Sequence, residues 1–140
     1  LQIKGTAGDI IFINWGDGGN LETITLDGTT QIIEHQHPAP GIYTIELKGN
    51  EPENITLLTN EGGSITTVQL DNTLIALNSL NFFNNGLDAA SVNNILITIN
   101  RFNTSGGTIN LSSGTNAALT GRGIAAKNQL TSRGWTVITN

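Results

Sequence analysis

Aliphatic side chains recur at every second position in short runs within roughly the first sixty residues of this chain and at three- and four-residue intervals through much of the rest. An alternation of two suits a strand with one buried face, whereas the longer spacing suits a helix or a repeating coil. The change of period therefore predicts two architectures in succession. "DIIFIN" at 9–14, "LETITLD" at 21–27 and "GIYTIELKG" at 41–49 read as strands. In the second, Leu21, Thr23 and Thr25 oppose Glu22, Ile24 and Leu26; in the third, Ile42, Thr44 and Glu46 oppose Tyr43, Ile45 and Leu47. The clusters "GDGGN", "DGTT" and "HPAPG" separate them. Short strands at this spacing predict part of an antiparallel β-sandwich over residues 1–60.

From about residue 65 the pattern changes. Leu77, Leu80, Phe82, Asn85 and Leu87 fall at positions 1, 4, 6, 9 and 11 of L-x-x-L-x-L-x-x-N-x-L, the spacing of a leucine-rich repeat. Such a unit is a short strand with Leu80 and Phe82 inward, followed by a turn in which the Asn85 side chain satisfies buried backbone groups. Ile65, Val68 and Leu70 repeat the first three positions twelve residues earlier, as a half-repeat would. Asp88 is a candidate N-cap, and Val92, Ile95, Leu96 and Ile99 give the i, i+3, i+4, i+7 spacing of a helix over about 89–101. "SGG" ends it, and "TINLS" at 108–112 is a strand. A second helix begins near Thr120 or Gly121, carries Ile124, Ala125 and Leu130, and ends at Gly134 as its C′ glycine. "WTVIT" at 135–139 is the last strand, and strands joined through helices predict parallel crossovers. The expected fold class is α+β, a short antiparallel sandwich over 1–60 followed by a leucine-rich-repeat-like α/β solenoid cap over 61–140.

Composition narrows the partners. The chain has 140 residues, a net charge of −5 and a pI near 4.7, and its six basic residues are scattered. Counterion release needs clustered Lys and Arg, so neither nucleic acid nor an anionic membrane surface is expected as partner. Charged residues make up only 12% of the chain, and the polar surface is left to Asn, Thr, Gln, Ser and Gly. Neutral hydrogen-bonding surfaces are common on secreted, cell-wall and virion proteins. With no Cys, thiolate metal sites, disulfides and cysteine nucleophiles are excluded. No apolar run approaches the roughly 18 residues that cross a bilayer, so membrane insertion is not expected. Starting at Leu1 and lacking Met, the chain is expected to be a processed product or a segment of something longer.

The stretch "INWGDGG" at 13–19 poses the main chemical question, because an Asp among glycines could serve a cation, a phosphate or a turn. A calcium loop needs a ladder of further oxygen ligands and a terminal Glu, and "GDGGN" has neither. A phosphate loop needs a Lys followed by Ser or Thr, also missing. The favoured reading is a structural turn in which Trp15 anchors the strand, Asp17 accepts backbone N–H groups, and Gly16, Gly18 and Gly19 supply positive φ. His35 and His37, at i and i+2, would share a strand face without a third ligand nearby, so no metal is expected there. Eleven carboxylates are spread over strands and turns with nothing to pair them, and no serine sits in a G-x-S-x-G elbow. No catalytic residue and no cofactor is expected. "NSLNFFNNG" and "NTSGGTINLSSGTN" place amides and hydroxyls on outward strand positions and loops. Asn81, Phe83 and Asn85 are therefore candidate contacts for a glycan, against the plainer reading of an asparagine ladder serving the fold's own turns; Phe83 could also meet another subunit.

Two resemblances sharpen this reading. "INWGDGG" followed by "EHQHPAPGIYTIELKG" resembles the immunoglobulin-like PKD family, whose signature is W-G-D-G followed by H-x-Y-x-x-x-G-x-Y-T-I. Trp15, Gly16, Asp17 and Gly18 match the first part, and His35, Gly41, Tyr43, Thr44 and Ile45 the second; His37 stands where the family usually has Tyr. The likeness covers about residues 8–50 and lacks the strand that normally precedes it, expected from residues before Leu1 or from a neighbour. The tail, with "GGTINL", "GTNAALTG" and L-x-x-R-G-W-T-V-x-x-N, resembles the closing segment of leucine-rich-repeat proteins of Bacteroidota and of tail or virion proteins of their phages. Together they imply a non-enzymatic structural or adhesion module at a virion surface, in a tail or head fibre, a decoration protein or a receptor-binding protein, acting by display and by protein or glycan contact during host recognition. A bacterial cell-surface adhesin is the alternative, and a polysaccharide-acting enzyme domain a third. With fewer than three repeats the open side needs a cover, from the sandwich or from a symmetry mate, and a homo-oligomer is expected.

Overall fold

In the computed structural model, which describes residues 1–39 and 43–140, the chain is a mixed α+β structure of two sheets and two helices. Gln2–Lys4 (β1), Ile10–Asn14 (β2), Glu22–Thr25 (β3), Gln31–Ile32 (β4), Glu46–Gly49 (β5) and Leu57–Thr59 (β6) are followed by Ser79–Asn81 (β7), Ala89–Arg101 (α1), Gly107–Leu111 (β8), Gly121–Ser132 (α2) and Trp135–Thr139 (β9). β2 is the centre of an antiparallel three-stranded sheet, β3-β2-β5. The apolar run of β2 is divided between two faces, with Ile11 and Ile13 buried and Phe12 exposed between them.

The other sheet has six strands in the order β4-β1-β6-β7-β8-β9. β6 is its seam: it runs antiparallel to β1 on one flank and parallel to β7 on the other. β7, β8 and β9 continue in parallel, each later pair joined through a helix. Register sets one inward row of Ile3, Leu58, Leu80, Ile109 and Val137 across the sheet. These residues belong to a single hydrophobic core that also takes in Ile11, Ile13 and Leu26 from the N-terminal strands and Val92, Ile95, Leu96 and Ile99 from α1.

α1 forms where its apolar stripe and cap dictate. Asp88 accepts the Ser91 N–H at 2.7 Å, and Val92, Ile95, Leu96 and Ile99 are all buried. α2 lies beside it on small residues. Gly123 has Asn93 of α1 against it so closely that a Cβ has no room, and Ala126 and Leu130 complete the buried face. Ile124 and Ala125, expected on that face, point outward, because the helix is rotated to bring Gly123 onto α1. Polar bridges tie the pair: Asn93 to Thr120, Asn100 to Gln129 at 2.6 Å, and Arg133, which donates to the carbonyls of Thr104 and Asn100 and to Asn100 Oδ1. Gly134 follows α2 at φ +83°, the expected left-handed C′ position.

Several expectations change. β1, β4 and β6 are strands that the alternation did not mark; β1 lies ahead of residue 8, where the resemblance supplies none. The expected third strand shortens to Glu46–Gly49, and Gly41 and Ile42 lie outside the described residues. Ile65, Val68 and Leu70 do not form a strand. The residues in register with Leu80 and Asn81 are instead Leu58 and Thr59, and residues 65 and 66 align further round, their carbonyls accepting the N–H groups of Gly86 and Asp88.

Candidate functional site

The W-G-D-G segment turns the chain at the end of β2. Asn14 Oδ1 accepts the Gly16 N–H at 2.9 Å and Asp17 Oδ1 the Gly19 N–H at 3.0 Å, while Gly16 and Gly18 take φ of +76° and +82°; Gly19, expected to share that conformation, does not, and serves the turn through its N–H instead. Gly16 is also a contact point: a Cβ there would run into the backbone of Thr44. Trp15 is 7% exposed and its indole N–H donates to Glu22 Oε2 at 2.7 Å.

Over this turn lies a stack of rings. His35 lies flat on Trp15, with centroids 4.4 Å apart and planes 5° apart, and its Nε2 reaches Asp17 Oδ2 at 2.8 Å. His37 stands edge-on to His35 at 4.9 Å and stacks on Tyr43 at 3.9 Å. His37 Nε2 is 3.1 Å from the Trp15 carbonyl, which can only accept, so that nitrogen carries the proton. The Gly19 N–H, and after it the His35 side chain, hold the Asp17 carboxyl below its ordinary range. The two histidines lie beyond β4 in an irregular segment that crosses Trp15, not on one strand face as the sequence suggested. Asp17, eighteen residues from His35, is the partner local reading missed. Among the described residues no group of three His, Asp or Glu is arranged to hold a metal ion. Each of the four rings, and the Asp17 carboxylate beside them, is occupied with another of these side chains or with nearby groups, so the arrangement fastens His35, His37 and Tyr43 to the turn.

The candidate ligand residues of the second half lie at the ends of the parallel strands. Asn81 uses both ends of its amide, accepting from the Phe83 N–H at 2.9 Å and donating to Glu61 Oε1 at 2.5 Å. Phe83 is 37% exposed on the turn beyond it. Asn85 is buried; its Nδ2 donates to the carbonyls of Asn60 and Phe83 and its Oδ1 accepts the Ile65 N–H. That occupation removes Asn85 from the ligand-facing candidates and gives it the ladder role. Asn116, which the sequence reading did not single out, does the same work one strand later: Nδ2 donates to the carbonyls of Phe82 and Leu111, and Oδ1 accepts the Leu87 N–H at 2.8 Å. The available signal was an Asn shortly after a buried strand and just before small and aliphatic residues, as in "NGL" and "NAAL".

Backbone geometry repeats with them. Gly62, Asn84 and Ser113 each lie three residues beyond the mutually aligned Thr59, Asn81 and Asn110, and each has φ between +56° and +66°. Gly62 N donates to Phe83 O and Asn84 N to Ser112 O, both at 2.9 Å, so register persists past the strands into the turns. Comparison with protein-family models, with curated proteins and with solved structures finds no match.

Proposed function

We propose that this chain is a non-enzymatic structural or adhesion module of a phage virion, in a tail or head fibre, a decoration protein or a receptor-binding protein. In this reading an Ig-like, PKD-like sandwich segment over 1–60 leads into a leucine-rich-repeat-like cap over 61–140 that works by display and contact. The observation that carries the proposal is the use made of the polar side chains. Asn85 and Asn116 hold successive turns by the same bonds to the preceding turn, and the rings and carboxylate of the W-G-D-G segment hold a loop. The repeated left-handed positions at 62, 84 and 113 support a stack of coils built for extent rather than for a cleft. The neutral outward rows of the parallel strands, Ser79, Thr108 and Thr136 beside Asn81 and Asn110, suit many weak contacts to protein or glycan. Other virion subunits and further copies of the same chain are its partners.

Mass spectrometry of purified virions and of host cell envelopes tests the assignment. Recovery in virions at stoichiometric level is the expected result, and recovery in cell envelopes alone replaces the virion by a bacterial surface adhesin. Host contact through the parallel sheet is tested separately, by exchanging Phe83 and Asn81 for Ala. Undiminished host-surface binding by that variant removes this patch as the glycan contact.

A further inference from the structure

The outward face of the three-stranded sheet carries two parallel rows. Antiparallel register sets Thr23, Phe12 and Lys48 side by side, and the next row continues as Leu21, Asn14 and Glu46. Five of these six line a shallow hollow of about 330 Å³. Phe12, at the centre of the face, is 37% exposed and Leu21, at its β3 edge, 61%, so the face carries uncovered apolar surface. Glu46 and Lys48 edge it, 3.7 Å apart, too far for a hydrogen bond, with side chains 54% and 77% exposed.

We propose that this face is the contact between two copies of the chain related by a twofold axis. The inference rests on the homo-oligomer contained in the proposed function and names its interface. A twofold axis in the contact plane, lying between the two rows and parallel to them, turns each row over the other. Glu46 then faces Lys48 of the second copy, and the same pair forms again on the other side of the axis. Leu21 covers Thr23 and Phe12 covers Asn14, with no like charges opposed. Self-complementarity of this kind is what an isologous contact requires, with the charges at one edge and Phe12 and Leu21 supplying the apolar area. Two chains of charge −5 repel as they approach, and a patch whose own charges cancel is where that repulsion costs least. A sugar or an ionic ligand fits the face less well: Leu21 offers nothing to a hydroxyl, the Asn14 oxygen is already committed to Gly16, and the patch has no net charge.

Sedimentation of the whole chain at low ionic strength over a wide concentration range tests the contact. Wild type is expected to dimerise. E46K and K48E should each raise the dimer dissociation constant by about tenfold or more, because each replaces two attractive pairs by two repulsive ones. An equimolar mixture of E46K and K48E should recover a dimer, as should the E46K/K48E double variant, and L21K should weaken every dimer. These side chains are exposed, so the variants fold, and circular dichroism verifies it. A monomeric wild type overturns both this contact and the homo-oligomer reading. An oligomer indifferent to L21K and to the charge variants overturns this contact alone. Charge variants that weaken the dimer without recovery in the mixture, or sensitivity to L21K alone, overturn the twofold arrangement.

Discussion

Asn116→Ala is the most informative single substitution in the second half of the chain. The Asn116 side chain is 4% exposed and makes three bonds, to Leu87 N at 2.8 Å, Phe82 O at 2.9 Å and Leu111 O at 3.0 Å. All three partners are backbone groups that alanine leaves without a replacement. At about 1–1.5 kcal/mol for each buried bond lost, the destabilisation is ~3–5 kcal/mol. That is a large part of the roughly 5–15 kcal/mol by which a domain of this size is folded. In urea, with a slope of about 2 kcal/mol/M, the midpoint should fall by about 2 M without a change of slope. Asn128→Ala, on the exposed side of α2, is the control and should shift it little. Asn116→Asp separates the two ends of the amide: it keeps an acceptor for Leu87 N but sets a carboxylate against two carbonyls, so it should be at least as damaging at neutral pH and partly recover on acidification. A loss below about 1 kcal/mol for Asn116→Ala, or an aspartate variant as stable as wild type at neutral pH, would refute the ladder argument.

Gly16→Ala and Gly18→Ala separate conformational strain from collision: both pay about 1–2 kcal/mol for left-handed backbone, but only Gly16 faces the Thr44 backbone, so thermal melts should show the larger loss at Gly16. His35→Ala removes the ring stacked on Trp15 and should cost about 0.5–1.5 kcal/mol beyond the apolar area lost, with a change in the near-ultraviolet dichroism of Trp15; an unchanged signal counts against the stack. Asp88→Ala should lower stability by about 1 kcal/mol through the lost cap, read as a fall in the urea midpoint. The carboxyls of Asp17, Asp27, Asp71 and Asp88 are all held below their ordinary range, chiefly by hydrogen bonds from Gly19, Thr29, Thr73 and Ser91 respectively. A folded-state value below the unfolded one stabilises above the unfolded value near pH 4 and is lost as pH falls through the folded value, so urea midpoints taken downward from pH 5 should decline, and Asp88→Ala should flatten part of that decline.

What could be read from the sequence was what depends on local pattern. α1 carries its stripe and its cap within a few residues, so Asp88 and the Val92-to-Ile99 spacing sufficed. The strand segments at β2, β8 and β9 were legible for the same reason. β1, β4 and β6 span two or three residues each, too few for a period to register, and they become strands only because distant partners supply the ladder. The 65–70 segment misled because Ile65, Val68 and Leu70 have the right spacing in the wrong part of the turn. At the W-G-D-G turn the roles of Gly16, Gly18 and Asp17 followed from turn chemistry, that of Gly19 did not, and the pairing of Asp17 with His35 needed the chain to cross itself. The outward rotation of Ile124 was hidden because a glycine, not an aliphatic residue, decides how α2 meets α1.

β6 also bears on how the molecule comes apart. Leu58 stands between Ile3 on one side and Leu80 on the other, so three residues act as the keystone of a sheet whose flanks run in opposite senses. A proline at this keystone removes a ladder donor from one flank and disturbs the strand that both flanks share, and amide exchange should then quicken in the N-terminal strands and in the parallel ones at once. Damage to this short stretch is therefore expected to spread in both directions along the polypeptide, because one hydrophobic core serves both halves.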